Sequence, residues 1–229
     1  MFTSFAAEKI ERSRSSLENT GTRLEAEFLG EVNKTKYKEA AYTFLHRDEL
    51  AKVQTPEQQF EQTLKIKEAA QKAFEDALDF AEKNNYINFK NSVDLVEKSQ
   101  LGNPEKPSKF FSSALYNYIK NRFEDKYSLK FFTATGGTHL DVAHGVDCFF
   151  KLYDKATEEE LAMATIDLTK RSSKDKARAD VLIKVDQDDM EKYDPSKNNE
   201  NFDKKFFDEQ IEKYGEMIIN SLIENYQKR

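Results

Sequence analysis

Four short apolar runs between residues 128 and 186 constrain the fold of this chain more than any other feature. They are rich in β-branched and aromatic residues and are separated by turn-forming segments, as strands of one sheet are. The runs read SLKFFTAT, GVDCFFKLY, ELAMATIDLT and ADVLIKVD. Apolar residues at helical spacing precede them in FFSSALYNYIKNRFEDKY and follow them near the C-terminus. We therefore expect an α+β fold with an α/β core, ordered α–β–β–β–β–α.

The first hundred residues have a different character, because their apolar residues recur at helical spacing. The clearest helix is predicted over 55–85, where Thr55 is the cap and Pro56 suits the first helical position. A linker, SQLGNPEKPSK, follows. The pattern predicts a helical N-terminal region over 1–100 and an α/β core over 108–229. The N-terminal helices either pack on that core or offer a surface for a protein partner or self-association.

Composition narrows the function classes. The chain has 229 residues, 34% of them charged, and a formal net charge of −6, so any contact with nucleic acid must come from a local basic patch. The single cysteine, Cys148, excludes an internal disulfide framework and a cysteine-based zinc finger. It suits a reducing compartment, and no apolar stretch is long enough to span a membrane. We expect a cytoplasmic protein without a membrane partner.

Two of the strand-like runs carry an aspartate where a buried strand tolerates none. Asp147 lies at the start of GVDCFFKLY, and Asp167 lies inside ELAMATIDLT. If these runs pair as an antiparallel hairpin, both carboxylates meet near one end of the sheet. Two carboxylates at that distance repel each other unless a proton or a cation neutralises them. Mg²⁺ and Mn²⁺ prefer oxygen ligands, so the pair predicts a site for one of these ions.

The segment KRSSKDKAR directly after the second aspartate is strongly basic in an otherwise acidic protein. A metal ion held by the two aspartates could activate water to hydrolyse a phosphodiester bond. We expect Lys170, Lys174 or Lys176 to support this hydrolysis by stabilising negative charge on the phosphate. Arg171, Lys174, Lys176 and Arg178 are the candidates for contact with a nucleic-acid backbone. Taken alone, such a segment is more often a solvated turn.

These residues resemble the motifs of the PD-(D/E)XK nuclease superfamily. GVD is similar to the first motif, with Asp147 as its acid, and IDLTK is similar to a variant of the second, with Asp167 as its acid. The resemblance implies an αβββαβ, restriction-endonuclease-like core with a mixed sheet. It also implies a Mg²⁺- or Mn²⁺-dependent endonuclease acting on DNA or RNA. A further metal-binding acid would come from the preceding helix, where Glu124 is the candidate.

One departure from this family concerns the catalytic lysine. Thr169 stands at its position, and Lys170 would face away from Asp167 on a regular strand. The lysine would then come from Lys174 or Lys176. A D-x-T motif with a displaced lysine also resembles the viral cap-snatching endonuclease branch. The alternative is an inactive nuclease-like scaffold that acts as a protein- or nucleic-acid-binding module.

The loop GGTHLDVAH offers a separate set of metal ligands, His139, Asp141 and His144. Histidine and aspartate together suit Zn²⁺, Mn²⁺ or Fe²⁺. Loop histidines are more often polar residues without a metal, and Asp147 and Asp167 have a similarly plain interpretation. Asp147 would satisfy backbone amides after a turn, and Asp167 would face water from an edge strand.

Overall fold

Helices pack on both faces of a four-stranded sheet in this α+β fold. The computed structural model describes residues 23–52, 55–73, 86–170, 178–195 and 200–229. Residues 23–28 are helical, and Gln187–Tyr193 form a 3₁₀ helix. The remaining helices are α1 (Lys34–Leu45), α2 (Arg47–Leu50), α3 (Pro56–Ala73), α4 (Phe89–Lys98), α5 (Phe110–Lys120), α6 (His139–Val142) and α7 (Lys204–Gln227).

The sheet is mixed. Its strands are β1 (Tyr127–Thr133), β2 (Cys148–Asp154), β3 (Glu160–Thr169) and β4 (Val181–Lys184), and they lie side by side in that order. The first three strands form an antiparallel meander, whereas β4 pairs with β3 in parallel. The predicted α+β class, with a helical N-terminal region and a mixed sheet, is confirmed.

One face of the sheet packs against α5 and α7. Strand residues that point to this face, such as Phe150 and Ile166, are fully buried. They form a hydrophobic cluster with Leu115 of α5 and with Ile218 and Leu222 of α7. The long amphipathic stripe of α7 explains this packing, because its apolar residues recur every three or four positions.

The other face packs against helices from the N-terminal half of the chain. Phe132 and Phe149 stack at a ring-centroid distance of 5.1 Å and lie in a cluster with Tyr37 of α1, Val96 of α4 and Leu140 of α6. Residues before position 100 therefore contribute to the core on this face. They also reach the first face through the helical segment 23–28.

Two helical features differ from the sequence pattern. Helix α4 was not expected, although Asn88 caps it by accepting a hydrogen bond from the Asn91 amide at 2.9 Å. In α3, the apolar residues Phe60 and Leu64 are 68% and 46% exposed. Apolar residues at helical spacing in this helix are therefore not all buried within the described part of the chain. The predicted continuation of this helix, 74–85, lies outside them.

None of the helices in the described ranges is both long enough and apolar enough to cross a bilayer.

A buried ion network lies in the middle of β2. The Lys151 side chain is only 7% exposed, and its ammonium contacts the carboxylates of Glu97 from α4 and of Glu160 at the start of β3. The Lys151–Glu160 distance is 2.7 Å, and Arg229 also binds Glu160 at 2.7 Å. Charged groups are buried only when they are paired in this way, so the network links α4, β2, β3 and the end of α7.

Lys151→Ala should lower the free energy of unfolding by roughly 3–5 kcal/mol, because it leaves two carboxylates without their buried cation. Urea unfolding measures the change. The matched control is Lys204→Ala, which breaks the exposed Lys204–Asp208 pair and should cost no more than about 1 kcal/mol. Equal losses in the two variants would contradict a stabilising role for the buried network.

Candidate metal centre

Two buried aspartates lie at the same end of the sheet. The β2–β3 register ends at the pair Cys148–Ile166, and Asp147 and Asp167 are the next residues of the two strands. Phe149 and Thr165, two residues away from them, pair with each other in that register. Asp147 is 5% exposed and Asp167 is 3% exposed. The hairpin expected from the sequence therefore forms, and both carboxylates lie on the face that the N-terminal helices cover.

Backbone hydrogen bonds fix the orientation of Asp147. Its N–H donates to the Ile166 carbonyl at 2.9 Å, and its own carbonyl accepts from the Ala134 N–H at 2.7 Å. Its Oδ2 accepts from the Leu168 N–H at 2.6 Å. The side chain thus bridges across to β3 with one oxygen, which holds its carboxyl group at the end of the sheet.

Two further acids approach Asp147. One carboxylate oxygen each from Glu25, Asp141 and Asp147 lies within 4.8 Å of the other two. Glu25 and Asp141 are half-buried, while Asp147 is buried. Within the described residues, this carboxylate cluster is the one group of three or more His, Cys, Asp or Glu side chains arranged to hold a metal ion.

Glu25 reaches the cluster from the helical segment 23–28. Leu24 and Phe28 on the neighbouring side of this segment are buried in the core beside α5. The segment ends at Gly30, whose φ of +88° suits glycine. The Gly30 carbonyl then accepts hydrogen bonds from the hydroxyls of Thr133, the last residue of β1, and of Thr135. These contacts fix the segment against the sheet end where the aspartates lie.

Asp141 reaches the cluster from the short helix α6. Thr138 caps this helix by accepting from the Asp141 N–H at 3.2 Å, and its own hydroxyl donates to the Ala134 carbonyl at 2.6 Å. The buried Tyr37 hydroxyl accepts from the His139 N–H at 2.8 Å and lies 2.9 Å from His139 Nδ1. Helix α1 therefore positions α6 and, with it, Asp141.

Burial makes the charged form of Asp147 costly. Desolvation is the largest cause that raises the pKa of Asp147 to about 9, and the Glu25 and Asp141 carboxylates add to it. The Leu168 N–H acts against these effects, while Asp167 adds to them. Asp147 therefore holds a proton at neutral pH unless a cation takes its place.

The donor set fits a small divalent cation. Carboxylate oxygens are hard ligands, which Mg²⁺ and Mn²⁺ accept alongside water molecules. A cation between three acids also removes the repulsion that raises the pKa of Asp147. The carboxylate cluster can thus hold a metal ion through Glu25, Asp141 and Asp147.

The acid expected from the helix before β1 is not part of this cluster. Glu124 lies after α5, and its carboxylate is 74% exposed and binds Lys126 at 3.0 Å. The third acid comes instead from Glu25, more than 100 residues before Asp147 in the chain. Its position follows from the packing of the N-terminal segment rather than from the helix that precedes the sheet.

The basic segment after β3 is described only at its ends. Lys170 follows β3 and is half-buried. Arg171, Lys174 and Lys176 lie outside the described residues. The Arg178 guanidinium donates to the Ala143 carbonyl at 2.7 Å, so it contacts the turn after α6.

The H-x-D-x-x-H residues are not brought together as a metal site. Asp141 joins the carboxylate cluster, whereas the His139 ring contacts Tyr37. His144 Nε2 lies 3.0 Å from the Ile87 carbonyl, and a carbonyl can only accept, so the ring donates there. The His144 ring also packs edge-on against Phe89 at 5.6 Å. In the described chain the two histidines thus hold α6 and α4 in place.

Sequence patterns missed Glu25 as a site residue. Its position one residue after the apolar Leu24 suggests only a helix start, and the acids it meets are distant in sequence. The one local signal is a carboxylate directly beside two core residues, Leu24 and Phe28, at helical spacing.

Comparison of the chain with protein-family models, with curated proteins and with solved structures finds no match.

The carboxylate cluster predicts an unusual pH dependence of stability in the absence of metal. The pKa of Asp147 is raised in the folded chain, so between about pH 4 and pH 9 the folded state binds a proton that the unfolded state lacks. Stability contributed by this group is complete at low pH and is lost as the pH rises towards 9. In EDTA, the free energy of unfolding of the wild type should fall as the pH rises from 5.5 to 8.5. This fall should be steeper than that of Asp147→Asn by roughly 1 kcal/mol per pH unit.

Urea unfolding at pH 5.5, 7 and 8.5 measures this difference. Asp154→Asn is the control, because the N–H groups of Thr157 and Ala156 lower the pKa of that carboxyl at the other end of β2. The Asp154→Asn variant should keep the decline between pH 5.5 and 8.5. Parallel curves for wild type and Asp147→Asn would show that Asp147 does not bind a proton in the folded chain.

Proposed function

We propose that this protein is a nuclease that hydrolyses phosphodiester bonds in DNA or RNA with Mg²⁺ or Mn²⁺. The observation that carries the proposal is the carboxylate cluster of Glu25, Asp141 and Asp147, which lies at the end of the sheet where β3 carries the buried Asp167. Burial and mutual repulsion make this group unfavourable without a proton or a cation. Such a group is typical of a functional site, because a core without function would replace it with apolar residues.

The order of elements supports a nuclease over other metal-dependent hydrolases. A helix, α5, leads into three antiparallel strands, and a fourth strand returns parallel to the third. The GVD motif ends directly before β2, and IDLT of the second motif lies at the end of β3. The αβββ start and the parallel fourth strand are shared with the core that the PD-(D/E)XK resemblance implies. Residues 171–177, where that core has its second helix, lie outside the described residues. The basic segment that begins at Lys170 starts at the same end of the sheet and favours a polyanionic substrate.

The chain's own groups have defined tasks in this proposal. Glu25, Asp141 and Asp147 would hold the cation, and Asp147 would release its proton to solvent on binding it. A divalent cation supplies, when bound, activation of water and stabilisation of charge on the leaving oxygen. Asp167, at the same end of the sheet, would orient the attacking water. The water oxygen forms a new bond to phosphorus, the ester P–O bond breaks, and the leaving oxygen takes up a proton.

A cytoplasmic location belongs to the same proposal. Cys148 is fully buried in β2, and one buried thiol without a disulfide partner suits a reducing compartment. Nucleic acid is the proposed partner there.

Cleavage assays test the function directly. Wild-type protein with Mn²⁺ or Mg²⁺ should cut plasmid DNA, labelled single-stranded DNA or labelled RNA, and EDTA should stop the reaction. The cleavage rate of the double variant Asp147→Ala/Asp167→Ala should fall to the level seen with EDTA, because both buried aspartates at this end of the sheet are removed. Wild-type protein that cuts none of these substrates better than the double variant overturns the proposal and favours the binding-module alternative.

The contribution of Glu25 is measured in the same experiment by Mn²⁺ binding. Glu25→Gln should weaken Mn²⁺ binding by roughly 10-fold or more. Loss of a residue that only hydrogen-bonds a metal ligand already has an effect of this size. Glu27→Gln is the matched control, because Glu27 lies on the same helical segment but is exposed and pairs with Arg23 at 2.8 Å. Saturating Mn²⁺ at 100 times Kd should also stabilise the wild type by about 2.7 kcal/mol. Equal Mn²⁺ affinities in the two variants would remove Glu25 from the metal site.

A further inference from the structure

Lys184, the last residue of the edge strand β4, lies beside Thr169 of β3. Thr169 stands where the family motif has its lysine. In the parallel β3–β4 register, Asp167 pairs with Leu182 and Thr169 pairs with Lys184. Neighbouring strands are about 4.8 Å apart, so the Lys184 backbone is one strand spacing from Thr169. Both strands end here, at the same end of the sheet as the carboxylate cluster.

Side-chain contacts show which face Lys184 occupies. Two residues before Asp167, the Thr165 hydroxyl donates to Asp180 Oδ2 at 2.7 Å, and the Asp180 N–H donates back to that hydroxyl at 2.9 Å. Thr165 and Asp180 therefore share a face. Because side chains alternate along a strand, Asp167 lies on the face of Thr165, and Lys184 lies on the face of Asp180.

The opposite face of β4 is apolar. Val181, Ile183 and Val185 are almost fully buried in the cluster that includes α7. From the same side, the Tyr214 hydroxyl of α7 donates to the Lys184 carbonyl at 2.6 Å. This bond fixes the backbone at the end of β4. Because Ile183 and Val185 point to the apolar face, the half-buried Lys184 side chain between them points to the face that carries the acids.

We infer that Lys184 is the catalytic lysine of the proposed nuclease. It takes the role of the motif lysine, whose position in this chain is occupied by Thr169. This assignment rests on the proposed function. A lysine carries its ammonium on a flexible four-carbon stem, which is long enough to extend from the neighbouring strand towards the space in front of Asp167. The ammonium donates a hydrogen bond to the attacking water oxygen or to a non-bridging phosphate oxygen as negative charge develops there. It transfers no proton, so the bond changes remain those of simple hydrolysis.

The register favours Lys184 over the lysines that follow β3. Lys170 is one position beyond Thr169, so alternation along β3 directs it away from the face of Asp167. Lys184 reaches that face from a backbone held on both sides, by β3 and by Tyr214. Because β3 and β4 are parallel, a lysine on β4 in place of one on β3 keeps the positive charge at the same end of the sheet.

Two lysine-to-methionine variants test the assignment, since methionine keeps most of the stem and removes the charge. Lys184→Met should lower the Mn²⁺-dependent cleavage rate on labelled single-stranded DNA or RNA by about 100-fold or more. Lys213→Met is the control, because this exposed lysine lies on α7 and packs over the Tyr214 ring. Lys184→Arg, which keeps a positive charge, should retain more activity than Lys184→Met.

Metal binding gives a readout apart from activity. Removing a cation near the site should leave Mn²⁺ affinity unchanged or raise it about 2- to 10-fold, because one repulsive charge is lost. A variant that had merely lost its structure would bind Mn²⁺ more weakly. Thr169→Lys added to Lys184→Met should restore cleavage at least 10-fold, because it places an ammonium on the same face one strand away.

The outcomes separate the two proposals. Cleavage by Lys184→Met within about threefold of wild type, or a larger loss in Lys170→Met, overturns the Lys184 assignment while the nuclease proposal stands. Weaker Mn²⁺ binding by both Lys184→Met and Lys184→Arg also overturns it. Wild-type protein that cleaves no better than Asp147→Ala/Asp167→Ala overturns the nuclease proposal and, with it, the catalytic role of Lys184.

Discussion

The burial of Asp147 beside other carboxylates determines the electrostatics of this end of the sheet. A single buried aspartate can be satisfied by backbone amides, and Asp147 does accept one hydrogen bond from Leu168. Burial raises the pKa of Asp147 to about 9, and the charges of Glu25 and Asp141 add to the effect of burial. Keeping these acids together costs free energy, which a proton on Asp147 or a bound cation would reduce.

The N-terminal residues contribute to the site as well as to the core. Glu25 supplies one of the acids, and the Gly30 carbonyl joins its helical segment to Thr133 at the end of β1. Tyr37 holds the His139 backbone, and this contact places α6 with Asp141. The sheet supplies Asp147 and Asp167. A cation bound here would therefore connect the N-terminal segment, α6 and the sheet, and its binding should stabilise all three together.

Local sequence patterns predicted the sheet well but not the full set of acids. Strand β3 was expected at ELAMATIDLT and has those bounds, because turn-forming residues flank a run of strand-forming ones. That Asp147 and Asp167 lie at one end of the sheet followed from one hairpin, whose register depends only on neighbouring strands. Glu25 could not be found this way, because its approach to Asp147 depends on how a distant helix packs. The position of Lys184 beside Thr169 could not be found either, since a parallel pair such as β3–β4 is not joined by a tight turn.

Metal binding at the carboxylate cluster is tested most directly by diffraction from crystals grown with Mn²⁺, recorded at a wavelength where manganese scatters anomalously. We expect one strong anomalous peak bound directly by oxygens of Glu25, Asp141 and Asp147, with water completing the coordination. Asp147→Asn crystals prepared in the same way should lose most of that peak. A wild-type crystal with manganese bound elsewhere, or with none at the carboxylate cluster at saturating concentration, would contradict the account.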